Sequence, residues 1–337
     1  MNSQIETDIA IIGAGPCGLF TVFEAGLLNL KCHLIDSLPV PGGQLAEIYP
    51  KKPIYDIPGY PSIIAGELVD KLLFQIEPFK PEFTLGETAQ KIHTLEDGRF
   101  IIETDHQTQI IAPVIAIAGG LGCFEPRKPE IQNIEYYENR GVDYIIKDPE
   151  KYRNKKILIS GGGDSALDWA IFLADIATEV HLVHRRMEFR GAPESVQKVF
   201  HLVEAKKINL YLESEVNKLS GELKLEQLSI STPNTEHTLQ LDYFIPLFGL
   251  SPKLGPLAGW GLNLDKNAIE VNTLNYGTNV EGIFAIGDIN TYPGKLKLIL
   301  CGFHEATLMV QSAYKIVNKG KKPSFKYTTV TGIQPIK

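Results

Sequence analysis

Residues 8–36, DIAIIGAGPCGLFTVFEAGLLNLKCHLID, decide the fold. Asp8 to Ile12 is a short apolar strand. Gly13, Gly15 and Gly18 then open a helix in the pattern G-x-G-x-x-G. An apolar run carries that helix to Leu28, and a second strand from Lys31 ends on Asp36. Each part has a physical job. Gly13 permits a tight turn, Gly15 lets a pyrophosphate approach the backbone, and Gly18 lets helix and strand pack closely. The helix N-terminus offers unpaired N–H groups and partial positive charge to the phosphates, where Cys17 also sits. Asp36, 23 residues after Gly13, can accept hydrogen bonds from ribose hydroxyls. The order strand, glycine turn, helix, strand and terminal acid predicts a dinucleotide-binding unit.

The pattern recurs. Lys156 to Ser160 is a strand, Gly161-Gly162-Gly163-Asp164-Ser165-Ala166 the turn, Leu167 to Ala174 the continuing helix, and Val180 to Val183 the second strand. Alanine in the third place still allows close packing. Here the position 23 residues on is His184, not an acid, and Arg185, Arg186 and Arg190 follow. Exchanging a carboxylate for guanidiniums suits a 2′-phosphate, which an acid repels and arginines bind with charge-assisted hydrogen bonds. A solvated basic turn would carry the same letters. The first unit is expected to prefer a nucleotide with a free ribose, the second NADP over NAD. Gly161, Gly163, Asp164, Ser165, Ala166, Arg185, Arg186 and Arg190 are the candidate NADP contacts. Two such units in one chain suggest a flavoprotein that also binds a pyridine nucleotide.

Composition bounds the rest. The 337 residues carry 33 Lys+Arg against 40 Asp+Glu, a net charge of −7, with 44% hydrophobic and 22% charged residues. That length and balance fit two globular domains and argue against bulk binding to nucleic acid or anionic lipid. The longest weakly polar stretch, Ile110 to Phe124, is broken by Pro113 and glycines and falls short of the roughly 18 residues a membrane helix needs. The start MNSQIETD has no basic n-region, so no secretory signal is expected. Cys17, Cys32, Cys123 and Cys301 form no C-x-x-C. This excludes a zinc ribbon and a sequence-local redox disulfide, suggests a reducing cytoplasm, and reads first as small buried hydrophobes. No metal site is expected.

Further strings carry a family resemblance. They are Gly42-Gly43-Gln44, Ile48-Tyr49-Pro50 running to Gly59, Val114 to Ala118 followed by Gly119-Gly120, His184 to Arg190, the strand Gly282 to Gly287 ending on Asp288, and Leu298 to Ala306. Spread over nearly the whole chain, they resemble the two-dinucleotide-domain flavoprotein reductases, and specifically the thioredoxin-reductase-like (type 2) ferredoxin–NADP⁺ reductases. The resemblance implies an α/β fold of two Rossmann-like, three-layer ββα dinucleotide-binding domains. The FAD domain is expected over 1–123 and 246–337, with the NADP domain, 124–245, inserted into it. Thioredoxin reductases carry a catalytic C-x-x-C before the second fingerprint. Aligned on Arg140-Gly141-Val142 and Tyr152-Arg153-Asn154, those positions fall on Tyr144 and Lys147, which cannot exchange disulfides.

The same resemblance assigns roles around FAD. Gln44 sits by the flavin, and its amide can donate and accept. Tyr49, extended before Pro50, stacks on the isoalloxazine; without the family it would read as a core tyrosine. Ala89 lends backbone groups to adenine, Phe124 touches FAD at the domain crossing, and Asp288 reaches the ribityl chain or pyrophosphate. The helix after Lys297 aims its N-terminus at the pyrimidine end of the flavin. Thr329 is the flavin-contacting candidate of the tail, which lacks the stacking aromatic or histidine many members carry after the position of Tyr327. No side-chain acid is needed for hydride transfer, so His304 reads as structural, and beyond the flavin no catalytic group is expected.

The implied activity is electron transfer between NADPH and ferredoxin or flavodoxin, in a homodimer. Docking an acidic carrier to a −7 protein requires local positive patches; Lys319, Lys321, Lys322, Lys51, Lys52 and Lys128 are the candidates. Two rivals stand: a reductase of low-molecular-weight disulfides using Cys17, whose helix N-terminal place can lower a thiol pKa, and a non-catalytic redox sensor.

Overall fold

The computed structural model describes residues 4–233, 235–323 and 328–336; the side chains at 123–125, 250–252, 330 and 331 lie outside the described set. The chain divides into two compact units, Met1–Cys123 with Pro252–Lys337, and Phe124–Ser251.

In the first unit a five-stranded parallel sheet runs in the order Ile283–Ala285, Val114–Ile117, Ile9–Ile12, Cys32–Asp36, Glu82–Leu85. Parallel sheets are covered on both faces, so their strands read as unbroken apolar runs, and successive side chains split between two cores. Ile9, Ile11, Leu34, Val114 and Ala116 pack under helices Pro16–Leu27, Ala65–Ile76 and Ile299–Val317. Ala10, Ile35, Ile115 and Ile117 face the other way, with Phe100, Ile102 and Ile110. Those last residues belong to a second sheet of Gln4–Glu6, Gln109–Ala112, Phe100–Thr104 and Ala89–Thr94, in which the middle two pair as a hairpin around Asp105–Thr108. The result is three layers: sheet, sheet, helices.

The second unit repeats this plan on its own core. Its parallel sheet is ordered Ile208–Leu212, Glu179–His184, Lys156–Ser160, Tyr243–Pro246. Ile157, Ile159, Val180 and Leu182 pack with helices Asp164–Leu173 and Pro193–Glu204. Leu158 and Val183 pack with Leu219, Leu228 and Ile230 of an antiparallel sheet, Glu215–Ser220, Gln227–Ser231 and Glu236–Gln240. Tyr243–Pro246 lies beside Lys156–Ser160, so the chain stays in this unit through Pro246. The helix begins at Asp164, three residues earlier than its apolar run. Among the described residues no helix is long and apolar enough to cross a membrane.

Candidate functional site

The first glycine turn is packed so tightly that side chains are excluded. Gly13 has φ +106°, and a Cβ there would lie 2.4 Å from the Ala118 carbonyl oxygen. A Cβ on Gly18 would lie 2.0 Å from the Gly13 oxygen. Gly15 differs, because around it only Gly43 comes near, at 3.9 Å from an added Cβ. The Gly42-Gly43 loop is docked onto this turn, with Gly42 N–H donating to the Ala14 carbonyl at 2.8 Å. Gln44 starts the short helix Gln44–Glu47 and lays its amide against Gly120, whose added Cβ would sit 3.1 Å from Nε2. Two glycine loops thus form one cradle of bare backbone, as a pyrophosphate needs.

Asp36 stands at the end of its strand and is tied to the same turn. Its Oδ2 accepts from Ala14 N–H at 2.6 Å and its Oδ1 from Leu38 N–H at 2.9 Å. Burial raises its carboxyl above the usual range, and those two N–H groups pull it part of the way back. Each oxygen keeps a lone pair for a ribose hydroxyl. Ala89, buried at the start of its strand, follows closely on Glu87, whose N–H is bonded to the Asp36 carbonyl at 3.2 Å.

On the opposite side of the turn lies the Gly287-Asp288 corner. Gly287 has φ +73°, and its added Cβ would meet Cys17 Sγ at 3.0 Å; one on Gly302 would meet it at 2.2 Å. The Cys17 thiol is wedged between these glycines, and its pKa is pushed up to about 12 by burial, then by Asp288 and Glu305. A thiol held protonated is a poor nucleophile, which removes the support for the Cys17-based rival. What Cys17 offers a phosphate is its backbone N–H in the first helical turn. Asp288 is half-buried and raised by burial, with Lys297 and Lys295 acting against the rise. Tyr49, packed at the edge of the helical core, is pushed up to about 12 by burial, then by Asp288 and Asp56, so its ring is present as neutral phenol. Its loop is pinned by Lys52 N–H to the Tyr49 carbonyl and Gly66 N–H to the Pro50 carbonyl.

The structure therefore gathers Gly13, Gly15, Cys17, Gly18, Asp36, Gln44, Tyr49 and Asp288 around one cradle, with Ala89 at its Asp36 end. Thr329 is exposed on the short helix Thr328–Thr331. Tyr327 and the side chain of Phe124 lie outside the described residues. His304 is exposed. The residue missed by sequence reasoning is Glu305. It is fully buried, on a helix face otherwise made of Gly302, Ala306, Met309, Val310 and Ala313. An acid on that apolar stripe was the available signal.

The second turn is built differently. An added Cβ on Gly162 would meet the His184 ring at 2.1 Å, so that ring covers the glycine. His184 also stacks on Phe189, with centroids 5.0 Å apart, and its Nε2 lies 3.0 Å from the Glu188 carbonyl. Arg190 N–H donates to the Gly162 carbonyl at 2.7 Å, and Asp164 Oδ1 accepts from Ala192 N–H at 2.7 Å. The 184–192 loop is thereby folded back onto the glycine turn. Arg185, Arg186 and Arg190 are all exposed there, beside exposed Asp164 and Ser165, and nothing lies within 4 Å of an added Cβ on Gly163. One Asp164 oxygen already serves the loop. Burial lowers the His184 pKa, against the Glu188 carbonyl and with the neighbouring arginines, so the guanidiniums supply the positive charge.

The second unit, Phe124–Ser251, contains no cysteine. Tyr144, at one expected thiol position, donates to Glu138 Oε1 at 3.1 Å beneath Lys128, whose ammonium is 5.5 Å from the ring centroid. Lys147, at the other, is exposed. Lys128 also bonds Glu138 at 2.6 Å, which ties up one candidate docking charge. Lys319, Lys321 and Lys322 are exposed just past helix Ile299–Val317.

A family profile described as pyridine nucleotide-disulphide oxidoreductase matches residues 7–312. A ferredoxin–NADP reductase of Flavobacterium johnsoniae is 63% identical over 331 residues, covering 98% of this chain and 95% of its own. A ferredoxin–NADP reductase of Flavobacterium psychrophilum is 65% identical, with the same coverage. Among solved structures, a Lactococcus lactis thioredoxin reductase superposes with a TM-score of 0.79 at 27% identity, covering 93% of this chain and 99% of its own.

Proposed function

The chain belongs to the pyridine nucleotide-disulphide oxidoreductase family and, within it, to the ferredoxin–NADP reductases; from that premise we propose how its two units divide the work. The first unit, on its two segments, holds FAD, and the inserted second unit holds NADP(H). Bound FAD would supply the conversion between a hydride from NADPH and two single electrons for ferredoxin or flavodoxin, with the proton released to solvent. The protein's own residues bind, orient and shield. The bare backbone of Gly13, Gly15 and Gly43 and the N–H groups of the first helical turn receive the pyrophosphate. Asp36 holds the ribose, Asp288 the ribityl side, Gln44 the ring edge, and Tyr49 lays its phenol on the ring face. Phe124 and Thr329 are assigned to flavin contact on the resemblance alone. In the second unit Gly161, Gly163, Ser165 and Ala166 form the phosphate turn, Arg185 and Arg186 take the 2′-phosphate, and Arg190 anchors their loop.

The observation that carries this reading is the absence of any cysteine from the unit that would hold NADPH. A reductase with no thiol pair there must pass electrons from the flavin to an external carrier. The same protein is proposed to work as a homodimer in a reducing cytoplasm, which suits its free Cys17, Cys32 and Cys301. Lys319, Lys321 and Lys322 form the proposed landing surface for an acidic carrier. The test is NADPH-dependent cytochrome c reduction through ferredoxin, followed while salt rises. Above about 0.5 M, where the Debye length is only a few ångström, the rate is expected to fall at least tenfold. A flat salt profile overturns the docking surface, and no ferredoxin-dependent rate overturns the function.

A further inference from the structure

Glu305 is fully buried, yet its carboxylate is the meeting point of four donors from a single segment. Gly287 N–H reaches Oε2 at 2.7 Å and Asn290 Nδ2 reaches the same oxygen at 2.8 Å. Tyr292 OH reaches Oε1 at 2.9 Å and the Lys295 ammonium reaches it at 2.5 Å. Each carboxylate oxygen thus accepts from two donors, a backbone N–H and an amide on Oε2 and a phenol and an ammonium on Oε1. Lys295 is itself buried, its side chain 7% exposed, and its ammonium lies 5.3 Å from the Tyr292 ring centroid.

A buried ion pair is an expensive way to fill a core, since well-packed apolar side chains of similar volume hold a fold as well or better. The segment it serves has little structure of its own. After the single turn Gly287–Ile289 it contributes only the two-residue strand Asn290–Thr291 and then a turn closed by Lys295 N–H on the Tyr292 carbonyl. Asp288 sits between two of the four donors and, with Asp56, is one of the two acids that act electrostatically on Tyr49.

We propose that Glu305 is a positioning residue for the flavin: by gathering Gly287, Asn290, Tyr292 and Lys295 on one carboxylate, it fixes the Asp288 corner in the geometry that binds FAD. This rests on the reading that Asp288 contacts FAD. Lys295 is the counter-charge that allows the carboxylate to remain buried, and Tyr292 ties the far end of the loop.

The experiment measures FAD dissociation constants of the apoprotein, by flavin fluorescence, together with thermal unfolding. The variants are Glu305→Leu combined with Lys295→Met, Tyr292→Phe, and Asp288→Asn. Removing both ions leaves no unpaired buried charge, although Gly287 N–H and Tyr292 OH lose their acceptor, so the double variant is expected to melt several degrees below wild type but still to fold. Its FAD affinity is nevertheless expected to fall about 30-fold or more, because the corner has lost its anchor. Tyr292→Phe deletes one donor only and is expected to weaken FAD about fivefold at unchanged melting temperature, which keeps the test open should the double variant not fold. Asp288→Asn is expected to weaken FAD as well. If both anchor variants bind FAD like wild type while Asp288→Asn weakens it, Glu305 is a core ion pair only and the proposal fails, with the flavin reading intact. If Asp288→Asn also binds like wild type, the underlying assignment of Asp288 fails, and the proposal with it.

Discussion

The two glycine turns of this protein share a backbone plan and diverge in what comes back to meet them. At the first, an acid returns: Asp36 grips the turn through Ala14 N–H and keeps lone pairs for a ribose. At the second, a basic loop returns: the His184 ring covers Gly162, Arg190 N–H and Asp164 lock the loop down, and the side chains of Arg185, Arg186 and Arg190 are left exposed. On the proposed reading the turn sets where a dinucleotide lies, and the residue at the end of the second strand sets which one. The third small residue differs in the same spirit. Gly18 is jammed under the Gly13 carbonyl, whereas at the second turn a methyl is already accommodated as Ala166, and Gly161 is the residue that packs against it.

The largest expected effect breaks the first turn. Gly18→Ala puts a methyl 2.0 Å from backbone oxygen, so the protein is expected to purify without flavin colour and to lose about 3 kcal/mol in urea unfolding. The mirror change, Ala166→Gly, is expected to cost only about 1 kcal/mol and to leave flavin content unchanged. Next comes the second site's selectivity. Arg185→Glu with Arg186→Ala is expected to raise KM for NADPH about 100-fold, from two charge-assisted bonds lost, while moving KM for NADH less than about threefold; equal losses would refute the 2′-phosphate role. Asp36→Asn turns an NH2 donor toward one of the two backbone N–H groups that Asp36 now accepts from, and is expected to weaken FAD about tenfold with NADPH KM unchanged.

The smallest effect is in pH dependence, where the sites have opposite signs. Burial raises Asp288 and Asp36, so their protonated forms favour the folded apoprotein. That stability is present below the unfolded carboxylate value and lost as pH climbs through the raised folded value. Burial lowers His184, so its contribution is present above the ordinary histidine value and lost as pH falls through the folded one. The melting-temperature advantage of apo Asp288→Asn over wild type should therefore grow by a few degrees from about pH 4 to about pH 7, and a constant gap would contradict the sign.

Most of this comparison was legible in the sequence. Strands such as Ile9–Ile12 and Lys156–Ser160 are buried on both faces, so they stand out as apolar runs next to spaced glycines. The antiparallel sheet Glu215–Gln240 did not stand out, because its strands are half exposed and mix charge with apolar residues. Glu305 was hidden for a related reason. An acid in an amphipathic helix is ordinarily a solvated one; its place on the apolar stripe hints otherwise, and the contacts of Gly287, Asn290, Tyr292 and Lys295 show that it faces inward. Asp164 was expected at a phosphate, and its link to Ala192 required a loop returning from 28 residues away.

The proposed reading takes electrons in at the second unit, which contains no cysteine, and passes them on from a flavin held by the first. The direct measurement is anaerobic stopped-flow at the flavin absorbance near 450 nm, mixing NADPH-reduced holoprotein with oxidised ferredoxin or with oxidised thioredoxin. Prompt reoxidation by ferredoxin, two ferredoxins reduced per flavin, and none by thioredoxin is the predicted result. Reoxidation by thioredoxin with ferredoxin inert would contradict it.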